Sequence, residues 1–126
     1  MSGELIRPGD RDLGFPFKPE TARQDQHALR QLANTAAALR RWEDMEKAID
    51  ILIQHQVEIV EWWNEHVGVR LHAGSKLNAH RHSTLSCEEA ERLTGIKQWQ
   101  TSRWRTALED EAAYRARQIL AARRPA

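Results

Sequence analysis

A single cysteine in 126 residues, Cys87, excludes an internal disulfide. It falls in the first turn of an expected helix, where it reads as a small packing residue rather than a reactive thiol. No apolar run approaches the roughly 20 residues that span a bilayer. The N-terminus lacks a basic-then-apolar signal pattern, so a soluble cytoplasmic protein is expected. There is no glycine-rich phosphate loop, no nucleophile elbow and no catalytic triad, so neither an enzyme nor a cofactor is expected. His66, His72, His80 and His82 gather near Cys87, but only His80 and His82 have the spacing of paired ligands, and no metal site is expected. Glu58, Glu61 and Glu65, at spacings of three and four, read as a solvated helix face rather than an acid/base set.

The net charge of +1 conceals a polarity along the chain. Residues 1–67 hold 8 Lys/Arg against 12 Asp/Glu, whereas residues 68–126 hold 11 against 6. Phosphate neutralisation supplies most non-specific affinity for nucleic acid, so the basic half is where such a partner would be met.

Residues 1–18 contain Pro8, Pro16, Gly3, Gly9 and Gly14 without periodicity and read as an arm, in which Leu13, Phe15 and Phe17 could pack on the helical body. From Pro19 to about Arg41 a helix is expected, with Ala22, Leu29, Leu32, Ala33, Ala36 and Leu39 forming its inner stripe. A second helix, from about Glu43 to Val67, carries Met45, Ala48, Ile49, Leu52, Ile53, Val60, Trp63 and Val67 on one side. Ile51, Val57, Ile59 and Trp62 spill onto others, which implies more than one partner helix. Neither glycine nor proline interrupts Arg40 to Asp44. A bend is nevertheless expected there, because one unbroken helix of about 72 Å could not bury so wide an apolar surface within one chain. Residues 68–84 form a linker rich in small, polar and basic residues. Asp110 is expected to cap a last helix to about Ala122, with Ala113, Ala116, Ile119 and Leu120 inward.

Between them, Ser86 to Leu108 reads as two short helices hinged at Thr94-Gly95-Ile96. Ser86 and Glu89 form an S-x-x-E capping box. Gly95 can take the left-handed conformation that ends a helix and turns the chain, with Ile96 pinning the turn to a core. The second short helix, from about Lys97, carries Thr101, Trp104 and Leu108 on one side and polar or basic side chains around the rest, as in a helix–turn–helix. Arg103 and Gln98 are the candidates for reading base edges. Lys97, Ser102, Arg105 and Arg92, with Lys76 and Arg81 of the linker, are candidates for holding phosphates. Trp62 and Trp99 are candidate contact anchors at an interface.

The run A-E-x-x-T-G-I-x-x-x-Q-x-S-R-W, Ala90 to Trp104, resembles the helix–turn–helix tails of small phage and prophage proteins, some found beside or fused to adenine methyltransferases. Glu61-Trp62-Trp63-Asn64-Glu65-His66-Val67 and Asp110-Glu111-x-x-Tyr114-Arg115 are similar to that group as well, and the likeness spans about Ile49 to Leu120. Two positions depart from it. Thr101 stands where valine is usual, and Trp99 where a groove-facing polar residue is expected. The resemblance implies a phage or mobile-element DNA-binding regulator or accessory factor in a bacterial host.

The sequence thus leads to an all-α protein: an arm (1–18), a helical hairpin or long helix that oligomerises (19–67), a linker (68–84) and a helix–turn–helix (85–126). The expected partner is double-stranded DNA, bound by a homodimer or higher oligomer. The rival readings are a protein–protein interaction module, such as a small phage inhibitor of a host or defence complex, and an assembly or packaging subunit.

Overall fold

A computed structural model describes residues 16–67 and 85–124. The fold is all-α. Its elements are a 3-10 turn (Pro19–Thr21), α1 (Ala22–Ala38), α2 (Trp42–His66), α3 (Cys87–Thr94), α4 (Gln98–Ala107), a second 3-10 turn (Leu108–Asp110) and α5 (Glu111–Arg123). Among the described residues the only β pairing is an isolated parallel bridge between Val67 and Leu85. No described helix is long and apolar enough to cross a membrane.

The expected bend between the first two helices is present, and an arginine makes it. Arg40 takes φ +59°, the Arg41 N–H donates to the Ala36 carbonyl at 2.8 Å and the Arg40 N–H to that of Ala37 at 2.9 Å. This is a Schellman closure, in which a left-handed residue just past the helix satisfies its last carbonyls. The chain reverses, and α1 and α2 lie antiparallel, with Gln26 beside Gln56 and Ala33 and Ala37 in one cluster with Met45 and Ile49. Because the α1 stripe is alanine-rich, the two helices approach closely. Leu32 (56% exposed) and Leu39 (63%) do not belong to this core, contrary to the stripe expected from spacing. Ala37 takes the inward place instead.

α2 is buried on several sides, as its wide apolar surface demands. Its first half packs with α1 and α5 around Met45, Ile49, Ile53, Tyr114 and Ala122. Its second half places Ile59, Trp63 and Val67 with Ala22, Ala90 and Ile96, and Phe17 and Trp62 cover that cluster. Trp104 of α4 touches both groups, so the two clusters are continuous through one indole. Phe17 stands edge-on to His55 and Trp62 at 5.8 and 6.2 Å, in keeping with a packed end to the arm, whereas Leu13 and Phe15 lie outside the described residues. On α5 Tyr114 and Ala122 are buried and Ile119 packs against the same core as expected, while Ala113 is half-buried and Ala116 and Leu120 are exposed. The rotation follows from Asp110, which caps the helix by accepting the Ala113 N–H at 3.2 Å, and from Arg115, which reaches Asp50 and Glu46 of α2 at 2.6 and 3.2 Å.

A chain of neutral polar groups crosses the packing. Tyr114 Oη donates to Gln56 Oε1 at 2.8 Å, Gln56 Nε2 donates to Gln26 Oε1 at 2.9 Å, and Gln26 Nε2 meets His55 Nδ1 at 2.8 Å. His55 and Gln56 are almost wholly buried. Such groups are tolerated inside only when hydrogen-bonded, and here the bonds tie α5, α2 and α1 together.

Two left-handed residues give a matched test. Replacing Arg40 with glycine removes a Cβ penalty and should raise stability by about 0.5–1 kcal/mol. At Gly95, φ is +74° and an added Cβ would lie 2.9 Å from Arg23 Cβ, so Gly95→Ala should cost about 1–3 kcal/mol. Urea midpoints would check both, and a destabilised Arg40→Gly protein would contradict the closure described. Burial, only partly opposed by Asp25, pulls the His55 imidazole below its usual value. The unfolded chain therefore binds this proton more readily, and the stability tied to neutral His55 is complete above the ordinary histidine pKa, near 6.5, and falls as pH drops below it. Urea unfolding at pH 7 and 5.5 should show that fall in the wild type and a smaller one in His55→Asn.

Candidate nucleic-acid interface

Local chemistry builds this end of the molecule as the sequence anticipates. Ser86 Oγ accepts the Glu89 N–H at 3.1 Å and Glu89 Oε1 accepts the Ser86 N–H at 2.9 Å, closing the capping box of α3. Gly95 ends α3 in the left-handed region. Thr94 Oγ1 donates to the Ala90 carbonyl at 2.8 Å and accepts the Ile96 N–H at 3.0 Å, so the turn is stitched to the helix before it. Ile96 is buried beneath. Lys97 is the N-cap of α4, and Gln100 Oε1 accepts its N–H at 3.1 Å.

Thr101 and Trp104 face inward on α4, and Gln98, Trp99, Ser102, Arg103 and Thr106 face outward. The hydroxyl of the fully buried Thr101 donates to the Gln98 carbonyl at 2.8 Å. With its polar atom satisfied inside its own helix, threonine fills the space of the usual valine. Trp99 is 58% exposed, and the Arg103 guanidinium lies 5.8 Å from the centre of its ring, a cation–π pair that holds both on the outer surface.

The proposed contact residues do not form one set. Arg92, Lys97, Gln98, Ser102 and Arg103 are all exposed at the α3–α4 end. Among the described residues, the ion pairs are Arg41 with Asp44 and Arg115 with Glu46 and Asp50, and Arg92, Lys97 and Arg103 are in none of them. Arg105 differs. It is half-buried, and its guanidinium donates to Asn64 Oδ1 of α2 at 2.8 Å. Trp62 is also half-buried, stacked on His66 at 5.1 Å. It serves mainly to cover the second core cluster. Lys76 and Arg81 lie outside the described residues.

Two groups that the sequence did not single out shape this surface. Glu91 Oε2 accepts the Gln98 N–H at 2.8 Å, so a carboxylate already stands at the amide end of α4, and a phosphate there would have to be held by side chains. Asn64 orients Arg105. Both partners are distant in sequence, seven and 41 residues away, which hides them from spacing arguments. No group of three or more His, Cys, Asp or Glu suited to a metal ion occurs among the described residues. Burial, with a contribution from Glu91, pushes the Cys87 thiol up, which suits a packing role.

The chain matches no known family, no curated protein and no solved structure.

Glu91→Ala removes both the bond to the Gln98 N–H and a favourable charge at the start of α4, and should cost about 1 kcal/mol. Glu91→Gln, which retains the acceptor, should cost less. Urea unfolding at low and high salt separates the two contributions, since only the charge contribution is screened.

Proposed function

We propose that the protein binds double-stranded DNA, with α3 and α4 acting as a helix–turn–helix and the outer face of α4 entering the major groove. The observation that supports this most directly is the exposed polar and basic face of α4. Arg115 is consumed by Asp50 and Glu46, whereas Arg92, Lys97 and Arg103 stand exposed at one end without a carboxylate partner. Unpaired cations around a polar helix face are what a phosphate backbone selects. In this reading Arg103 and Gln98 contact base edges, Lys97, Ser102 and Arg92 hold phosphates, and Arg105 acts chiefly by bracing α4 on Asn64. Trp99 adds apolar contact beside Arg103, suited to a thymine methyl or a sugar.

So few free cations give one copy modest affinity. The binding species is therefore a dimer that presents two α4 helices to successive major grooves, about 34 Å apart. The apolar side of α2 is covered by α1, α4 and α5, and the exposed Leu32 and Leu39, which line one groove with half-buried Ile51, offer an apolar surface through which copies would join. The resemblance to phage helix–turn–helix tails makes a regulator or accessory factor of a mobile element the role that fits.

Fluorescence anisotropy with duplexes of varied sequence tests the assignment. Lys97→Ala and Arg92→Ala should weaken binding to all sequences and lower the slope of log affinity against log salt by about 1 each. Arg103→Ala should reduce discrimination between sequences by about 1–3 kcal/mol. Unchanged binding in all three would remove the assignment. A salt-insensitive complex with a bacterial protein, lost on Trp99→Ala, would replace it with the protein-interaction reading.

A further inference from the structure

A cleft of about 610 Å³ opens between α1 and α4, lined among others by Arg23, His27 and Arg30 of α1, Gln56 of α2, and Gln100 and Trp104 of α4. Its size is that of a small-molecule site, and no carboxylate is among its lining residues. Neither Arg23 nor Arg30 takes part in an ion pair among the described residues. Arg30 is half-buried, donates to the neutral Gln118 Oε1 at 2.5 Å, and is pulled below its usual pKa by burial. A cation taken partly out of water without a counter-ion is unfavourable by itself, and an anion in the cleft would offset that cost.

The walls are held in place. Gln56 is fixed between Tyr114 and Gln26, and the stem of Arg23 runs directly beneath Gly95, where even a Cβ would crowd it. Trp104 and the buried Ile96 supply an apolar side. Arg23 and Arg30 are two helical turns apart, about 10 Å along α1. Two cationic side chains lining one cleft suit an anion with more than one charged group, and guanidinium pairs well with phosphate.

We propose that this cleft binds a phosphate ester carrying two anionic groups, supplied either by a free nucleoside diphosphate or by successive phosphates of a DNA strand. The strand source rests on the DNA-binding reading above, and the free source stands without it.

The test uses the full chain in two arms. Isothermal titration with adenosine diphosphate and with inorganic pyrophosphate reads the free source, and anisotropy with a random duplex reads the strand. Both are run on the wild type, Arg23→Gln and Arg30→Gln, with circular dichroism melts to verify folding. A free ligand predicts binding to the wild type that weakens about tenfold in each variant, with duplex affinity unchanged. A strand predicts no heat from either small anion and a salt slope for the duplex lower by about 1 in each variant. Arg23→Gln keeps an exposed stem and remains decisive should Arg30→Gln fail to fold. No small-anion binding together with unaltered duplex binding in Arg23→Gln overturns the proposal. Lys97→Ala and Arg103→Ala report on the α4 surface separately, so either site can fail while the other stands.

Discussion

The packing of this protein depends on one demand: α2 carries apolar side chains around more of its circumference than a single neighbour can cover. α1 covers one side by folding back against it. α5 and α4 cover the rest, with the Trp104 indole joining the two clusters so formed. The placement of α3 and α4 follows, because Ile96 and Ala90 must meet Ile59 and Trp63. The burial of Trp63 is complete but imperfectly satisfied, since its indole N–H finds no acceptor among the described residues. Such a donor costs on the order of 1–3 kcal/mol, which the apolar burial around it must exceed.

With one side of α4 committed to that core, its opposite side is left to solvent. The charge on that side is then a result of where ion pairs close elsewhere. Acidic residues of α2 attract Arg115 of α5, and Glu91 turns to the Gln98 amide. The cations outside these pairs include Lys97 and Arg103 at α4, Arg92 at the end of α3, and Arg23 and Arg30 in the cleft along α1. Those on α4 and in the cleft flank the same short helix, with the Glu91 carboxylate already at its amide end.

Features governed by a few neighbouring residues were legible in the sequence. Ser86 with Glu89, Gly95 and Asp110 act through bonds three or four residues long, and each performs the expected task. The side of α2 with Met45, Ile49, Leu52 and Trp63 was equally plain, since spacing alone sets a helix face. Leu32, Leu39 and Leu120 escaped the same logic, because periodicity finds an apolar stripe without saying how much of it a small neighbour can cover. His55 and Gln56 escaped it in the opposite sense: polar residues go inside when a partner such as Tyr114 arrives from 58 residues away. The hairpin turn was foreseen on grounds of burial, but not that Arg40 would take a conformation usually left to glycine. The placement of Arg105 against Asn64 needed the fold itself.

The bridge between Val67 and Leu85, with the Leu85 N–H donating to the His66 carbonyl at 3.2 Å, fastens the departure and return of the intervening chain at one point. Val67 and Leu85 are thus held side by side by the scaffold itself. Doubling the length of a flexible segment changes its closure entropy by only about 0.6 kcal/mol. A junction whose two ends are fixed in this way is set by the helices that bear them and depends only weakly on the number of residues between.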